Sequence, residues 1–172
     1  IDEKSIAKVG QFPWRRDVYS KILKNLNQHN PKAIAFDIVF SEEDKQNPKD
    51  LLLQLQKESN QLIDVDVSDT NKIFVDSLKN SKIILPILGE PNDNFVKNES
   101  KPKARIIAKG ENPKNFIYKF KNKIISLEEI NNAASGIGSI SLIPNIDGVI
   151  RNVPVLYNID NRIWPSLALE AV

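Results

Sequence analysis

The 172-residue sequence contains no cysteine and no methionine. Without cysteine there is no disulfide framework, no thiolate metal site and no cysteine nucleophile. That fits an extracytoplasmic domain that avoids stray oxidation, and fits many cytosolic proteins equally well. Without methionine the chain holds no initiator, so it is expected to be a segment of a longer protein, cut at both ends. No apolar run approaches the ~20 residues of a membrane helix, and no signal peptide is present. Histidine occurs once, as His29, and no metal site or triad forms around it in the sequence. Glycine is scarce, at six residues. Gly136-Ile137-Gly138 opens like a dinucleotide loop, but Ser141 stands where the third glycine belongs. The segment also leads into a strand rather than a helix, which is the wrong context for a cofactor. No serine has a matching base, so neither a catalytic signature nor a cofactor is expected.

What is present is ordinary for a globular chain: 41% hydrophobic and 27% charged residues. The length suits one domain, spanning 1–172, with a substantial core. Twenty-four basic residues stand against 22 acidic ones, a net charge of +2. So small an excess, without a long basic run, gives no reason to expect a nucleic-acid partner.

The pattern reads as α/β: a single domain with a mixed, largely parallel central sheet flanked by helices. Ile1 is expected at the end of a strand, with residues 2–12 as a connection. Val18, Tyr19, Ile22, Leu23 and Leu26 recur at helical spacing and predict a helix over 16–28. Asn30-Pro31 ends it. Residues 32–40 scarcely alternate and read as a strand buried on both faces. Strand, helix and strand together make a right-handed βαβ unit. A short helix is expected around Leu51–Leu55, and another over 69–80 with Asp69 or Ser68 as its cap. Ile73, Phe74 and Leu78 should face inward from it.

Residues 82–88 form an apolar strand, and 89–102 a surface loop. Residues 104–108 and 115–121 are expected to pair as strands. Ser126-Leu127-Glu128-Glu129 is a capping box. Strands are expected over 137–143 and 149–157, joined at Asp147-Gly148 by a type I′ or II′ hairpin. Pro165 suits the first turn of a helix starting near Trp164.

Few residues carry candidate chemistry. Asp2 and Asp37 are expected near the C-terminal ends of adjacent strands, where open α/β sheets bind ligands. Glu42 and Asp44 add carboxylate oxygens of the kind that hold Mg²⁺ or Ca²⁺. A metal-dependent phosphate hydrolase on Asp2, Asp37 and Glu42 is therefore the alternative reading, with structural pairing of these carboxylates preferred. Trp14 and Arg16 follow a rigid Phe12-Pro13 turn. They suit an anion site at a helix start, but the preferred reading puts Trp14 in the core and Arg16 on Asp37 or Asp2. Asp147 and Arg151 flank the hairpin turn and should reach each other.

Three stretches carry a further signal. Asp2, Ser5, Gly10, Pro13, Trp14 and Arg16 fit the pattern Asp-x-x-Ser, glycine, Trp-Pro-Trp-x-Arg, with Phe12 replacing the first tryptophan. Asp37, Phe40, Ser41 and Glu42 fit Asp-x-x-Phe-Ser-Glu. Asp147, Gly148, Val149 and Arg151 fit Asp-Gly-Val-x-Arg, with Asn145 where aspartate is frequent. In this order and spacing they resemble the CHASE domain of the second type (cyclases/histidine kinases associated sensory extracellular).

The resemblance implies a non-enzymatic sensor on the outer face of a bacterial cell membrane. The parent would be membrane-embedded, with a nucleotide cyclase, histidine kinase or serine/threonine kinase as output. It implies an unidentified small-molecule or environmental signal, and a homodimer is a further expectation. Ligand contacts are expected among Asp2, Trp14, Arg16, Asp37, Glu42, Asp147 and Arg151, with no metal. The loops at 41–68 and 89–103 and the C-terminal helix are the expected moving parts.

Overall fold

A computed structural model describes residues 1–62, 64–92 and 99–172. Its contacts divide the chain into two compact units. The first joins residues 1–31 to 43–80, and the second joins 32–42 to 81–172.

The first unit is helical. Helix α1 (Glu3–Val9) occupies the stretch expected to be a connection, and Ile1 lies in no strand. The Asp2 side chain caps α1 by accepting the Ser5 amide at 2.9 Å. Helix α2 (Arg16–Asn27) matches its periodicity and buries Tyr19 and Leu23. Helix α3 (Pro48–Ser59) is longer than the leucine patch implies and buries no residue. Helix α4 (Thr70–Leu78) is capped by Asp69, which accepts the Lys72 amide at 3.2 Å. Phe74 and Leu78 point inward as expected, whereas Ile73 is exposed. Helices α2 and α4 pack together. The Tyr19 and Phe74 rings meet at 5.9 Å, and Ser77 hydrogen-bonds Ser20 at 3.3 Å.

The second unit holds two mixed sheets rather than one central sheet. In the larger, β2 (Ile83–Glu90) is the spine. It pairs in parallel with β1 (Ile34–Ala35) and β5 (Gly136–Ser139), and antiparallel with β4 (Asn122–Ile125). In the smaller, β6 (Leu156–Ile159) lies parallel to β3 (Lys119–Phe120) and antiparallel to β7 (Arg162–Pro165). The α/β class with mixed pairing therefore holds.

Two expectations about β1 do not. Among the described residues its parallel neighbour is β2, not a strand at Ile1. Nor is it buried on both faces: Ala35 is exposed, and among the described residues the strand pairs on one side only. Helix α5 (Glu128–Ala133) follows β4, and α6 (Leu167–Ala171) follows β7.

The core of this unit is Trp164 and Tyr157 with Ile87, Ile125, Ile137 and Ile159. Each buried aromatic finds a partner for its polar atom. Trp164 Nε1 donates to the Ile159 carbonyl at 3.1 Å, and the Tyr157 hydroxyl to the Ser141 carbonyl at 2.7 Å. That removes the penalty of burying an unpaired donor.

Several local expectations are corrected. The Ser126 hydroxyl does not cap α5. It accepts the Phe40 amide at 3.0 Å, and Leu127 takes the cap position. Residues 104–108 are not a strand, and of 115–121 only Lys119–Phe120 is. The loop expected over 89–102 lies partly outside the described residues; Gly89 and Glu90 belong to β2. Trp164 and Pro165 close β7, and Ser166 caps α6 by accepting the Leu169 amide at 3.2 Å.

Residues 149–155 form no strand. The turn before them is neither I′ nor II′. Gly148 donates to the Asn145 carbonyl at 2.8 Å, Asn145 donates to the Val149 carbonyl at 3.1 Å, and only Gly148 has positive φ, at 78°. This is a three-residue loop closed by a left-handed glycine. A β-carbon at Gly148 meets nothing within 4 Å, so substitution costs backbone strain alone. Gly148→Val is expected to destabilise the loop by about 1–2 kcal/mol, read as faster hydrogen exchange at the Asn145 amide, which bonds the Val149 carbonyl. Unchanged exchange there would contradict the left-handed assignment.

Candidate functional site

Asp2 and Arg16 do not meet. The Asp2 carboxylate is engaged by Ser5, whose hydroxyl donates to it at 2.6 Å as well as its amide. These bonds hold the carboxyl below its ordinary value. Capping wins because the serine is three residues away and the first-turn amides need acceptors.

Trp14 lies in the core of the first unit, as expected, at 9% exposure. Its indole donates to the Gly10 carbonyl at 2.8 Å, and its ring links Phe12 at 6.2 Å to Tyr19 at 6.4 Å. Arg16 is buried, with its guanidinium 6.0 Å above the Phe74 ring.

The Arg16 amide opens a buried network that the sequence does not reveal. It donates to Asp44 Oδ2 at 2.9 Å, and so does the Thr70 hydroxyl. Asn47 Oδ1 accepts the Thr70 amide at 3.0 Å, and Asn47 Nδ2 donates to Asp50 at 2.8 Å. Asp44 thus serves the first turn of α2 and the first residue of α4 at once. Its carboxylate satisfies buried donors, so its task is structural.

In the second unit Asp37 and Glu42 are exposed on the segment following β1. Asp147 and Arg151 form the expected pair, with two parallel bonds of 2.9 and 2.7 Å. The pair holds the aspartate below its ordinary value and raises the arginine. It braces an exposed turn. Among the described residues no group of three or more His, Cys, Asp or Glu side chains converges to hold a metal ion.

Among the described residues this unit also carries a concavity. A polar cleft of about 740 Å³ is lined by Glu99, Ser100, Lys101, Lys103, Glu128 and Asn132. The Arg162 guanidinium holds its rim by donating to the carbonyls of Glu99 and Ser100 at 3.1 and 3.0 Å. The Lys103 ammonium reaches inward to the carbonyls of Asn132 and Ala134, at the end of α5. Burial lowers its pKa, and Glu170 pulls it back up.

Glu170 lies on α6, which rests on β5. It accepts the Ile137 amide at 3.3 Å. Burial pushes its carboxyl above the ordinary value, against the pull of that amide and of the Lys82 and Lys103 ammonium groups. The folded state therefore holds this proton more tightly than the unfolded chain does. The resulting stabilisation is complete below the unperturbed value of 4.5 and is lost as pH rises through the higher folded value. Glu170→Gln keeps an acceptor for Ile137 but removes the titration. The variant is expected to melt like the parent in acid and higher than it at neutral pH. Parallel melting curves across that range would contradict this.

No curated protein matches the chain. No solved structure matches it either. The model of the CHASE2 domain, an extracellular sensory domain of signalling proteins, matches residues 1–172. No helix among the described residues is long and apolar enough to cross a membrane. The matched residues are the whole of the sequence, and the chain belongs to the CHASE2 domain family.

Proposed function

We propose that the chain is the extracytoplasmic recognition domain of a bacterial transmembrane signalling protein, with a nucleotide cyclase or a histidine or serine/threonine kinase as output. The observation that supports this reading is the family match over residues 1–172. The signal is a small polar molecule, and its seat is the cleft lined by Glu99, Lys101, Lys103 and Glu128. Binding transmits only if it favours one of two conformations. Lys103 lines this cleft and its charge acts on Glu170 of α6. A ligand that draws the ammonium off the carbonyls of Asn132 and Ala134 changes the field at Glu170 and the seating of α6. A helix conveys such a shift where a flexible linker would absorb it.

Two glycines inserted directly after Val172 in the full-length protein test the route. The expected result is loss of regulated output, with residues 1–172 folded as before. Regulated output that survives the insertion would refute transmission through α6.

A further inference from the structure

Of the 24 basic and 22 acidic residues in the chain, seven and one fall between Lys101 and Lys121. The remainder is net acidic, so a near-neutral total conceals a basic stretch. Lys103 and Lys114 hydrogen-bond backbone carbonyls. The other five, Lys101, Arg105, Lys109, Lys119 and Lys121, are exposed, and among the described residues none of them is in an ion pair. Apolar side chains stand out between them. Ile107 is 70% exposed, Phe116 73% and Tyr118 50%. Apart from the turn Pro113–Asn115, the backbone from 101 to 118 is irregular.

We propose that this stretch is a docking surface for an anionic phospholipid bilayer. Unneutralised cations are drawn to the negative potential of such a surface. Isoleucine and aromatic side chains partition into the boundary between headgroups and acyl chains. Both features in one exposed segment favour lipid over a purely polyanionic partner, which needs only the charges. The irregular backbone sets the depth: its peptide groups require water or headgroups, so the segment lies at the interface and does not enter the hydrocarbon.

Residues 1–172 are mixed with vesicles of phosphatidylcholine containing ~30 mol% phosphatidylglycerol and sedimented. The protein is expected to pellet with them, to stay in solution with phosphatidylcholine alone, and to be released by high salt, which screens exposed charge. Lys109→Ala should weaken partition roughly fivefold, the effect of one charge at such a surface. Ile107→Asp with Phe116→Asp should weaken it at least tenfold, with an unchanged melting curve. Failure to pellet with the anionic vesicles would overturn the proposal, as would equal pelleting with neutral ones. So would binding that duplex DNA competes fully and that the Ile107 and Phe116 changes leave intact, since that describes a general polyanion site. The vesicle and glycine-insertion results are independent, so either can fail alone.

Discussion

Trp164→Ala is expected to remove about 3–5 kcal/mol of stability. The indole is fully buried and fills the centre of the second unit, against Tyr157, Ile87, Ile125, Ile137 and Ile159. The pairing of β6 with β7 fixes it opposite Tyr157, so no neighbour can move into the void without breaking that ladder. Domains are stable by only about 5–15 kcal/mol in total, so the loss is a large fraction of what holds the fold. In a unit of this size each kcal/mol moves the melting temperature by roughly 4–8 °C. A fall of well over 10 °C on the same scale is therefore expected by calorimetry or near-ultraviolet circular dichroism. Trp164→Phe separates packing from hydrogen bonding. It leaves the Ile159 carbonyl without its indole donor and should cost about 0.5–1.5 kcal/mol for that bond, plus a smaller packing loss. An alanine variant that melts close to the parent would show that these residues are not the core.

What the sequence disclosed and what it hid follow a physical divide. Helices α2 and α4 and strand β2 were legible because each presents an apolar pattern that only one geometry buries. The Asp69 cap was legible because it acts three residues away. Helix α1 left no such trace: it is seven residues long and buries none of them. Ser126 fits a local capping pattern, yet its hydroxyl goes to Phe40, a partner 86 residues distant. No local rule anticipates that choice.

The hairpin between β6 and β7 was readable in principle. Asp160 and Asn161 both take positive φ, at 51° and 57°, and these two residue types tolerate that region best after glycine. Asp147-Gly148 carries the stronger local signature of a two-residue turn, yet its loop has three residues. The same divide governs the candidate sites. The Asp147–Arg151 pair is local and was foreseen. The network of Arg16, Asp44, Asn47 and Thr70 is closed by bonds between residues 23 to 28 positions apart and was not; the sequence marks Asp44 only as a carboxylate following Glu42.

Gly138→Ala is expected to cost clearly more than Gly136→Ala or Gly110→Ala, because the obstacle is backbone. A β-carbon there would stand 2.5 Å from the Leu167 α-carbon and 2.7 Å from the Ser166 carbonyl oxygen. At Gly136 the nearest obstacle is the tip of the Glu170 side chain, which can rotate away. At Gly110 nothing lies within 4 Å. Accommodating a methyl group at Gly138 therefore means lifting the first turn of α6 off β5. Overpacking of this kind costs about 1–3 kcal/mol, and the upper end applies where no side chain can yield.

The expected signature is a lower denaturation midpoint than Gly136→Ala, with faster hydrogen exchange at the Leu169 and Glu170 amides, which Ser166 accepts. Protection of these amides equal to the parent's would mean that α6 is not seated on β5 as described. The same variant bears on signalling. If α6 carries the signal, lifting it should fix the output of the full-length protein in one state, whatever the stimulus. A stimulus-responsive output in Gly138→Ala, with α6 shown by exchange to be displaced, would move the transmission route to another part of the second unit.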